Sequence, residues 1–162
     1  LDAERARMAL LAYTDALTGL GNRTALHEAL AAAMAGGDAV ALVFLDLDHF
    51  KDVNDELGHT AGDSVLASVA DRIRQTVRAE DAVARLGGDE FVVLVRGQDT
   101  GAVGALAERL RRAVEAPIAV GDRQVRVGAS CGAVVAHPSD DVDGLLRRAD
   151  HAMYEAKRAA RL

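Results

Sequence analysis

The feature that most constrains this chain is a short run in which two glycines and two acids separate two apolar segments. The run reads Arg85-Leu86-Gly87-Gly88-Asp89-Glu90-Phe91, and the apolar segments cover residues 82–84 and 91–95. An apolar segment, a glycine turn and a second apolar segment predict a β-hairpin. Glycines allow positive φ and the close approach of a ligand, and carboxylates at the tip suit a hard cation such as Mg²⁺. We therefore expect a metal and phosphate site at this turn.

The bulk composition indicates one domain with a core of small aliphatic side chains. The chain has 162 residues, of which 50% are hydrophobic, 3% are aromatic and none is Trp. Its formal net charge of −6 argues against a nucleic-acid partner, because nucleic-acid-binding domains are usually basic. The single Cys131 lies in an apolar run, which indicates a packed thiol in a reducing compartment.

The ends of the chain suggest a larger setting. No signal peptide and no apolar stretch of membrane length is visible, so we expect a cytoplasmic domain. Because the chain begins at Leu1 rather than Met, we expect it to be a piece of a longer protein with an upstream sensor, which leaves room for a membrane anchor in the full-length protein. We predict a linker or signalling helix over residues 1–13 and the main domain over residues 14–162.

Helical and strand patterns alternate along the rest of the chain. We predict helices over residues 24–34, 50–57 and 101–114 and others beginning near residues 60 and 140, with strands over 39–45, 118–120 and 124–135 beside the hairpin. A direct hairpin excludes a purely parallel sheet. The expected fold is therefore α+β, with a mixed, largely antiparallel five-stranded sheet surrounded by helices.

Two further acids, Asp46 and Asp48, lie where the apolar strand over residues 39–45 ends. Alternation along a strand puts both side chains on the same side. If this strand lies beside the hairpin, Asp46 and Asp89 converge, and with a triphosphate they form a site for two Mg²⁺ ions about 4 Å apart. Asp48 has an alternative role as the cap of the following helix, and we prefer that role for it. Asp46 has an alternative interpretation as a solvated strand end, but for Asp46 we prefer the metal-ligand role.

Five ordered motifs give residues 15–161 a resemblance to the GGDEF family, the diguanylate cyclases that join two GTP molecules into cyclic di-GMP. The motifs occupy residues 15–23, 44–51, 54 with 58–63, 87–91, and 147–150 with 154–157. The resemblance implies the nucleotidyl cyclase or polymerase palm fold. It also implies that Asp46, the Leu47 carbonyl and Asp89 are metal ligands for Mg²⁺, with Mn²⁺ as an alternative. Glu90 resembles the second acid, which binds metal or helps to deprotonate the attacking 3′-hydroxyl.

The residues that the resemblance implies to bind GTP are Phe50, Asn54, Asp63, Gly87, Gly88, Lys157 and Arg161, with Lys51 also over the phosphates. Asn54 and Asp63 resemble the pair that reads guanine, because a carboxylate accepts from guanine N1 and N2 and an amide donates to its other edge. Without the resemblance, several of these residues also fit ordinary structural roles. The pattern over 60–63 is also a capping box, Phe50 also fits a core, and Lys157 with Arg161 is also an ordinary cationic helix end.

A second constellation precedes the hairpin. Arg78 and Asp81 form an RxxD pattern, five residues separate it from Gly87, and this placement resembles the family's inhibitory site for the product. An arginine fork grips guanine or phosphate bidentately, and Arg109 falls where a second inhibitory-site arginine is expected. The alternative is a solvated helix end, with Arg111 and Arg112 as competitors for the role of Arg109.

The resemblance implies an enzyme that condenses two GTP into cyclic di-GMP and pyrophosphate. One domain holds one substrate, so two copies must meet as a homodimer. The main alternative is a catalytically silent GGDEF domain that senses GTP or cyclic di-GMP; silent members usually lose signature acids or glycines, and none is lost here. A dimerisation domain without a ligand would leave the mutually repulsive acids at residues 46, 89 and 90 unexplained.

Overall fold

The computed structural model describes residues 1–160, apart from the side chains of residues 98 and 99. The helices are α1 (Asp2–Tyr13), α2 (Arg23–Ala35), α3 (Phe50–Leu57), α4 (His59–Thr76), α5 (Val103–Glu115) and α6 (Val142–Ala160). The strands are β1 (Val40–Asp48), β2 (Ala82–Gly87), β3 (Glu90–Arg96), β4 (Ile118–Val120), β5 (Arg123–Val125) and β6 (Gly128–Val135), and a 3₁₀ helix covers Gly97–Ala102.

The main sheet has the order β2-β3-β1-β6, and each neighbouring pair in it is antiparallel. This confirms the predicted α+β class with a largely antiparallel sheet. The sheet of the described residues has four strands rather than the predicted five. The strand predicted over residues 124–135 is interrupted at Arg126 and Val127, and its first part, β5, pairs with β4 in a separate two-stranded hairpin. The two strands of that hairpin pair their backbone N–H and C=O groups with each other, and the chain turns between them at Gly121, where φ is +62°.

The central strand β1 is buried on both faces because helices cover the sheet on both sides. Its odd-numbered side chains, such as Val43 and Leu45, pack with α3, α4 and α5, whereas Leu42 and Phe44 pack with α2 and α6. Successive side chains of a strand point to opposite faces. Asp46 therefore shares the face of Phe44 and points toward α6.

The helix α1 lies apart from both cores. It buries no residue, and the side chains of Met8, Leu10 and Leu11, together with that of Leu1 just before the helix, are exposed. Within residues 1–160, none of the helices combines the length and hydropathy that crossing a membrane requires. The division into a helix over residues 1–13 and a domain over 14–162 stays a prediction.

Candidate active site

The glycine turn joins β2 to β3 with a backbone that only glycine adopts easily. Gly87 has φ +136° and Gly88 has φ +51°, and the pairing of β2 with β3 shifts register between Arg85 and Gly87. A Cβ on either glycine would have no atom within 4 Å. The glycines are therefore required by the backbone conformation, and they leave open space in front of Asp89.

The end of β1 meets this turn. Asp46 lies opposite Glu90 in the register of β1 with β3, and the Leu47 N–H donates to the Asp89 carbonyl at 3.2 Å. Because the N–H and C=O of one strand residue point to the same edge, the Leu47 carbonyl also faces the turn. The structure thus places Asp46, Leu47, Asp89 and Glu90, to which the resemblance assigns metal binding, at the same end of the sheet.

The Asp46 carboxylate is the most deeply buried acid of this cluster, with 8% of the residue exposed. Its Oδ2 lies 2.6 Å from Nζ of Lys157, which reaches over from α6. Its Oδ1 is buried and has no hydrogen-bond partner among residues 1–160. A buried carboxylate oxygen without a partner is costly, and a cation beside it would remove that cost.

The acids of the cluster repel one another. Burial, followed by the charge of Asp46 and a side-chain hydrogen bond between the two carboxyls, raises the pKa of Asp89 to about 6. Burial also raises the pKa of Glu90, with further contributions from the charges of Asp46 and Asp150. Lys157 opposes both shifts. Among residues 1–160, Lys157 and Arg23 are charges that oppose the shifts, yet the pKa values of Asp89 and Glu90 stay raised, which leaves the cluster able to accept further positive charge.

These groups fit a divalent cation whose remaining ligands would come from a bound phosphate. In the chain up to residue 160, no three acidic, His or Cys side chains lie close enough to form a metal site by themselves. Mg²⁺ is usually held by one or two carboxylates together with substrate phosphates rather than by an all-protein cage. Asp46, Asp89 and the Leu47 carbonyl supply hard oxygen donors of that kind, and the unpartnered Oδ1 of Asp46 is the observation that favours a cation there.

A cleft of about 470 Å³ opens beside the turn, lined by Leu47, Phe50, Lys51, Asp89 and Lys157 among others. Its two lysines lie on different elements, so an anion in the cleft would have cationic groups on both sides. Glu90 lines a neighbouring cleft of about 450 Å³ between α2 and α6, with Arg23, Arg147 and Asp150. Glu90 therefore faces a different cleft from the one that its neighbour Asp89 lines.

The loop between β1 and α3 departs from one prediction. Asp48 does not cap α3: the N-cap is His49, in the left-handed region at φ +58°, and no side chain caps the helix. Asp48 instead accepts from Ser130 Oγ at 2.9 and 3.1 Å, because β6 lies beside β1 at this point. The backbone turn at His49 brings Phe50 and Lys51 to the mouth of the cleft.

The expected guanine pair lies where α3 packs on α4. A Cβ on Gly62 would overlap Oδ1 of Asn54, so the amide reaches the start of α4 next to the exposed Asp63. The capping box predicted over residues 60–63 is wrong, because α4 begins at His59 with Gly58 as N-cap and no side-chain cap. Phe50 is 8% exposed and belongs to the core, which bears out the packing alternative for its ring.

The residues of the expected inhibitory site lie on the surface. Asp81 Oδ2 accepts from the Arg78 backbone N–H at 3.0 Å, and the Arg78 guanidinium is 3.9 Å from Glu80. Arg109 is exposed on α5, whereas Arg111 is engaged by ion pairs with neighbouring acids. Arg161, the remaining predicted phosphate ligand, lies outside the described residues.

Sequence reasoning assigned no role to several residues that the structure places around the turn. Arg85 contacts both Asp15 and the Gly88 carbonyl, and Asp150 approaches Glu90 from α6. The only sequence signal for them is their place inside the motifs at residues 15–23 and 147–150 and the run over residues 85–91, which does not reveal which side chains meet.

Comparisons with known proteins give matches over nearly the whole chain. A family model described as "Diguanylate cyclase, GGDEF domain" matches residues 12–162. Diguanylate cyclase DgcP of Pseudomonas aeruginosa is 43% identical over 156 residues, which cover 93% of this chain and 23% of that protein. Cyclic di-GMP phosphodiesterase NbdA of the same species is 40% identical over 99% of this chain and 21% of its own length. The chain thus spans less than a quarter of these curated relatives.

The fold also matches a solved structure over almost its whole length. The coiled coil and GGDEF domain of DgcB from Caulobacter crescentus, in complex with c-di-GMP, has a TM-score of 0.85 at 32% identity. The match covers 98% of this chain and 90% of that one. This confirms the expected palm-like cyclase fold.

Proposed function

The chain belongs to the GGDEF family, and from that premise we propose that it is a diguanylate cyclase domain that condenses two GTP molecules into cyclic di-GMP with release of pyrophosphate. The observation that carries the proposal is the Asp46 carboxylate, buried with one unpartnered oxygen next to an intact glycine and acid turn. Such a group suits a divalent cation, and the adjoining cleft suits a triphosphate.

The chain's own residues divide the work of binding GTP. Lys51 and Lys157 line the cleft and would neutralise phosphate charge, and the open space over Gly87 and Gly88 admits the nucleotide. At the junction of α3 and α4, Asn54 and Asp63 would read guanine, which favours GTP over ATP because a carboxylate repels the acceptor edge of adenine. Arg161 would add a further phosphate contact.

The reaction is a phosphoryl transfer, for which positioning and electrostatics supply most of the rate. Glu90 would accept the proton of a ribose 3′-hydroxyl, and the raised pKa of this acid makes it a better base. The hydroxyl oxygen then bonds to the α-phosphorus of the other GTP, and the bond to the β-phosphate oxygen breaks. Mg²⁺ or Mn²⁺, held by Asp46, Asp89 and the Leu47 carbonyl, would stabilise the charge that develops on the phosphates.

Two copies must face each other, since one cleft holds one GTP and each hydroxyl attacks the other nucleotide. The exposed helix α1 would bring copies together under the control of an upstream sensor. Product would return to Arg78, Asp81 and Arg109 and inhibit the enzyme. We place the domain in the cytoplasm, where GTP is available, whatever anchors the full-length protein.

A sensor that binds GTP or cyclic di-GMP without turnover is the second candidate. Its support is that NbdA, which is 40% identical to this chain, is named as a phosphodiesterase and not as a cyclase. The presence of every signature acid and glycine favours the cyclase instead.

The test is to incubate the purified domain at high concentration with Mg²⁺ and GTP and to separate the products by chromatography. Parallel samples carry Glu90→Gln or, as a matched control, Glu56→Gln on the exposed side of α3. Cyclic di-GMP from the parent and the control but not from Glu90→Gln supports the proposal. If the domain fused to a dimeric coiled coil binds GTP and makes no product, the cyclase proposal is wrong and the sensor reading stands.

A further inference from the structure

One side chain ties the glycine turn to a distant loop. Nε of Arg85 donates to the Gly88 carbonyl at 2.9 Å, and Nη1 donates to Oδ1 of Asp15 at 2.9 Å. The Arg85 and Asp15 side chains are 14% and 18% exposed. A planar guanidinium presents its donors in a fixed fork, so it spans two acceptors in a way that a single ammonium cannot.

The far end of this link is itself held in place. Oδ2 of Asp15 accepts from the Thr18 backbone N–H at 3.0 Å and from its hydroxyl at 2.7 Å. Burial would raise the pKa of Asp15, but the bonds from Thr18 and the charge of Arg85 lower it below its ordinary value. The same loop docks on the edge of β2, where Gly21 bonds to Val83 and to the Arg85 backbone. Asp15 is therefore a fixed, charged anchor.

At its other end, Arg85 holds the Gly88 carbonyl in the glycine turn, where few packing contacts fix the backbone. Gly87 and Gly88 have no side chains to pack, and a Cβ on either would touch nothing. The carbonyl that Arg85 holds immediately precedes Asp89, whose own carbonyl receives the Leu47 N–H. A shift at Gly88 would therefore move the Asp89 carboxylate relative to Asp46.

We propose that Arg85 is a positioning residue for the reaction proposed above, holding the Gly88 carbonyl so that Asp89 faces Asp46, with Asp15 fixing the guanidinium. The inference rests on the proposed function only for its effect on rate. A misplacement of about 1 Å in a reacting geometry costs up to about a hundredfold in rate. Arg85 and Asp15 touch neither the reacting atoms nor the cleft beside Asp89, so their effect runs through the turn.

The test compares Arg85→Lys and Asp15→Asn with Arg74→Ala as control. Asn at position 15 keeps an acceptor for Thr18 but loses the charge that orients Arg85. Arg74 donates to the Thr18 carbonyl at 2.7 Å, so its loss weakens the same loop without touching the turn. The measurements are kcat and KM for GTP, the melting temperature, and the exchange rate of the Leu47 amide, which depends on the Asp89 carbonyl.

We expect Arg85→Lys and Asp15→Asn to lower kcat about tenfold to a hundredfold with little change in KM, and to speed exchange of the Leu47 amide. The double variant should cost little more than either single one, because both break one link. Arg74→Ala should lower the melting temperature without either effect. Full kcat with unchanged Leu47 exchange in Arg85→Lys, or an equal loss of kcat in Arg74→Ala, would overturn the inference.

The exchange measurement needs no turnover. If the parent domain makes no cyclic di-GMP, the proposed function fails, while faster Leu47 exchange in Arg85→Lys but not in Arg74→Ala still supports Arg85 as the residue that holds the turn. Unchanged exchange in both would refute the inference whatever the parent synthesises.

Discussion

Replacing Asp89 with Asn should stabilise the protein in the absence of nucleotide and metal. Burial and the charge of Asp46 raise the pKa of Asp89 from its ordinary 3.8 to about 6. At about 1.36 kcal/mol per pH unit, a change of this size corresponds to about 3 kcal/mol of unfavourable interaction with the ionised form. Because Asp89 is only half-buried and titrates together with its neighbours, we expect a gain of about 1–3 kcal/mol in the free energy of unfolding.

The pH dependence of this gain follows from the sign of the shift. A carboxyl with a raised pKa in the folded state binds its proton more tightly there than in the unfolded chain. Ionisation of Asp89 therefore costs stability as the pH rises from about 4 to about 6, and the cost is complete above that range. The advantage of Asp89→Asn should be absent near pH 4 and largest at pH 7 and above.

The assay is urea unfolding of the parent and Asp89→Asn across this pH range, without metal or nucleotide. Asp55→Asn, which changes an exposed acid on α3, is the control and should show no such trend. If Asp89→Asn is neutral or destabilising at pH 8, or if its gain is the same at pH 4 and pH 8, the acids of the turn do not repel one another and the reasoning fails.

Three further predictions concern Lys157, Asp63 and Gly132. Lys157→Met removes the 2.6 Å ion pair between Lys157 and Asp46 and should lower the free energy of unfolding by about 1–3 kcal/mol. Mg²⁺ should partly reverse this loss, which urea unfolding with and without Mg²⁺ would measure. Asp63→Ala should raise KM for GTP about tenfold and lower the ratio of kcat/KM for GTP to kcat/KM for ATP. Steady-state kinetics with both nucleotides would measure this. Gly132→Ala should destabilise by about 1–3 kcal/mol or more in thermal unfolding, because its Cβ would overlap the Met153 backbone; an unchanged melting temperature contradicts this packing.

Local patterns in the sequence were enough to predict most elements of the fold. The apolar run over residues 39–45 predicts β1, which extends to Asp48, and the glycine run predicts the β2–β3 hairpin. Cys131, expected among packing residues, is half-buried on β6, and burial raises the pKa of its thiol to about 12. These features depend on periodicity and turn chemistry, which a single sequence displays.

The pairings that build the site are long-range, and the sequence does not display them. The convergence of Asp46 with Asp89 rested on the assumption that β1 lies beside the hairpin, which only the register of the sheet establishes. Asp48 accepts a hydrogen bond from Ser130 on a neighbouring strand instead of capping the helix that follows it, and Arg85 donates to Asp15. Each of these contacts depends on which strands and loops are neighbours in the folded chain, and the spacing of residues along the sequence does not predict that.

In the function proposed above, a cation and a nucleotide bind where the end of β1 meets the glycine turn. The most direct test is paramagnetic broadening of backbone amide signals by Mn²⁺ in the presence of a GTP analogue that cannot be cyclised. We expect the signals of Asp46, Leu47, Asp89 and Glu90 to broaden first and Asp89→Asn to abolish the effect. Broadening centred on any other part of the chain, or none while the analogue is bound, would contradict it.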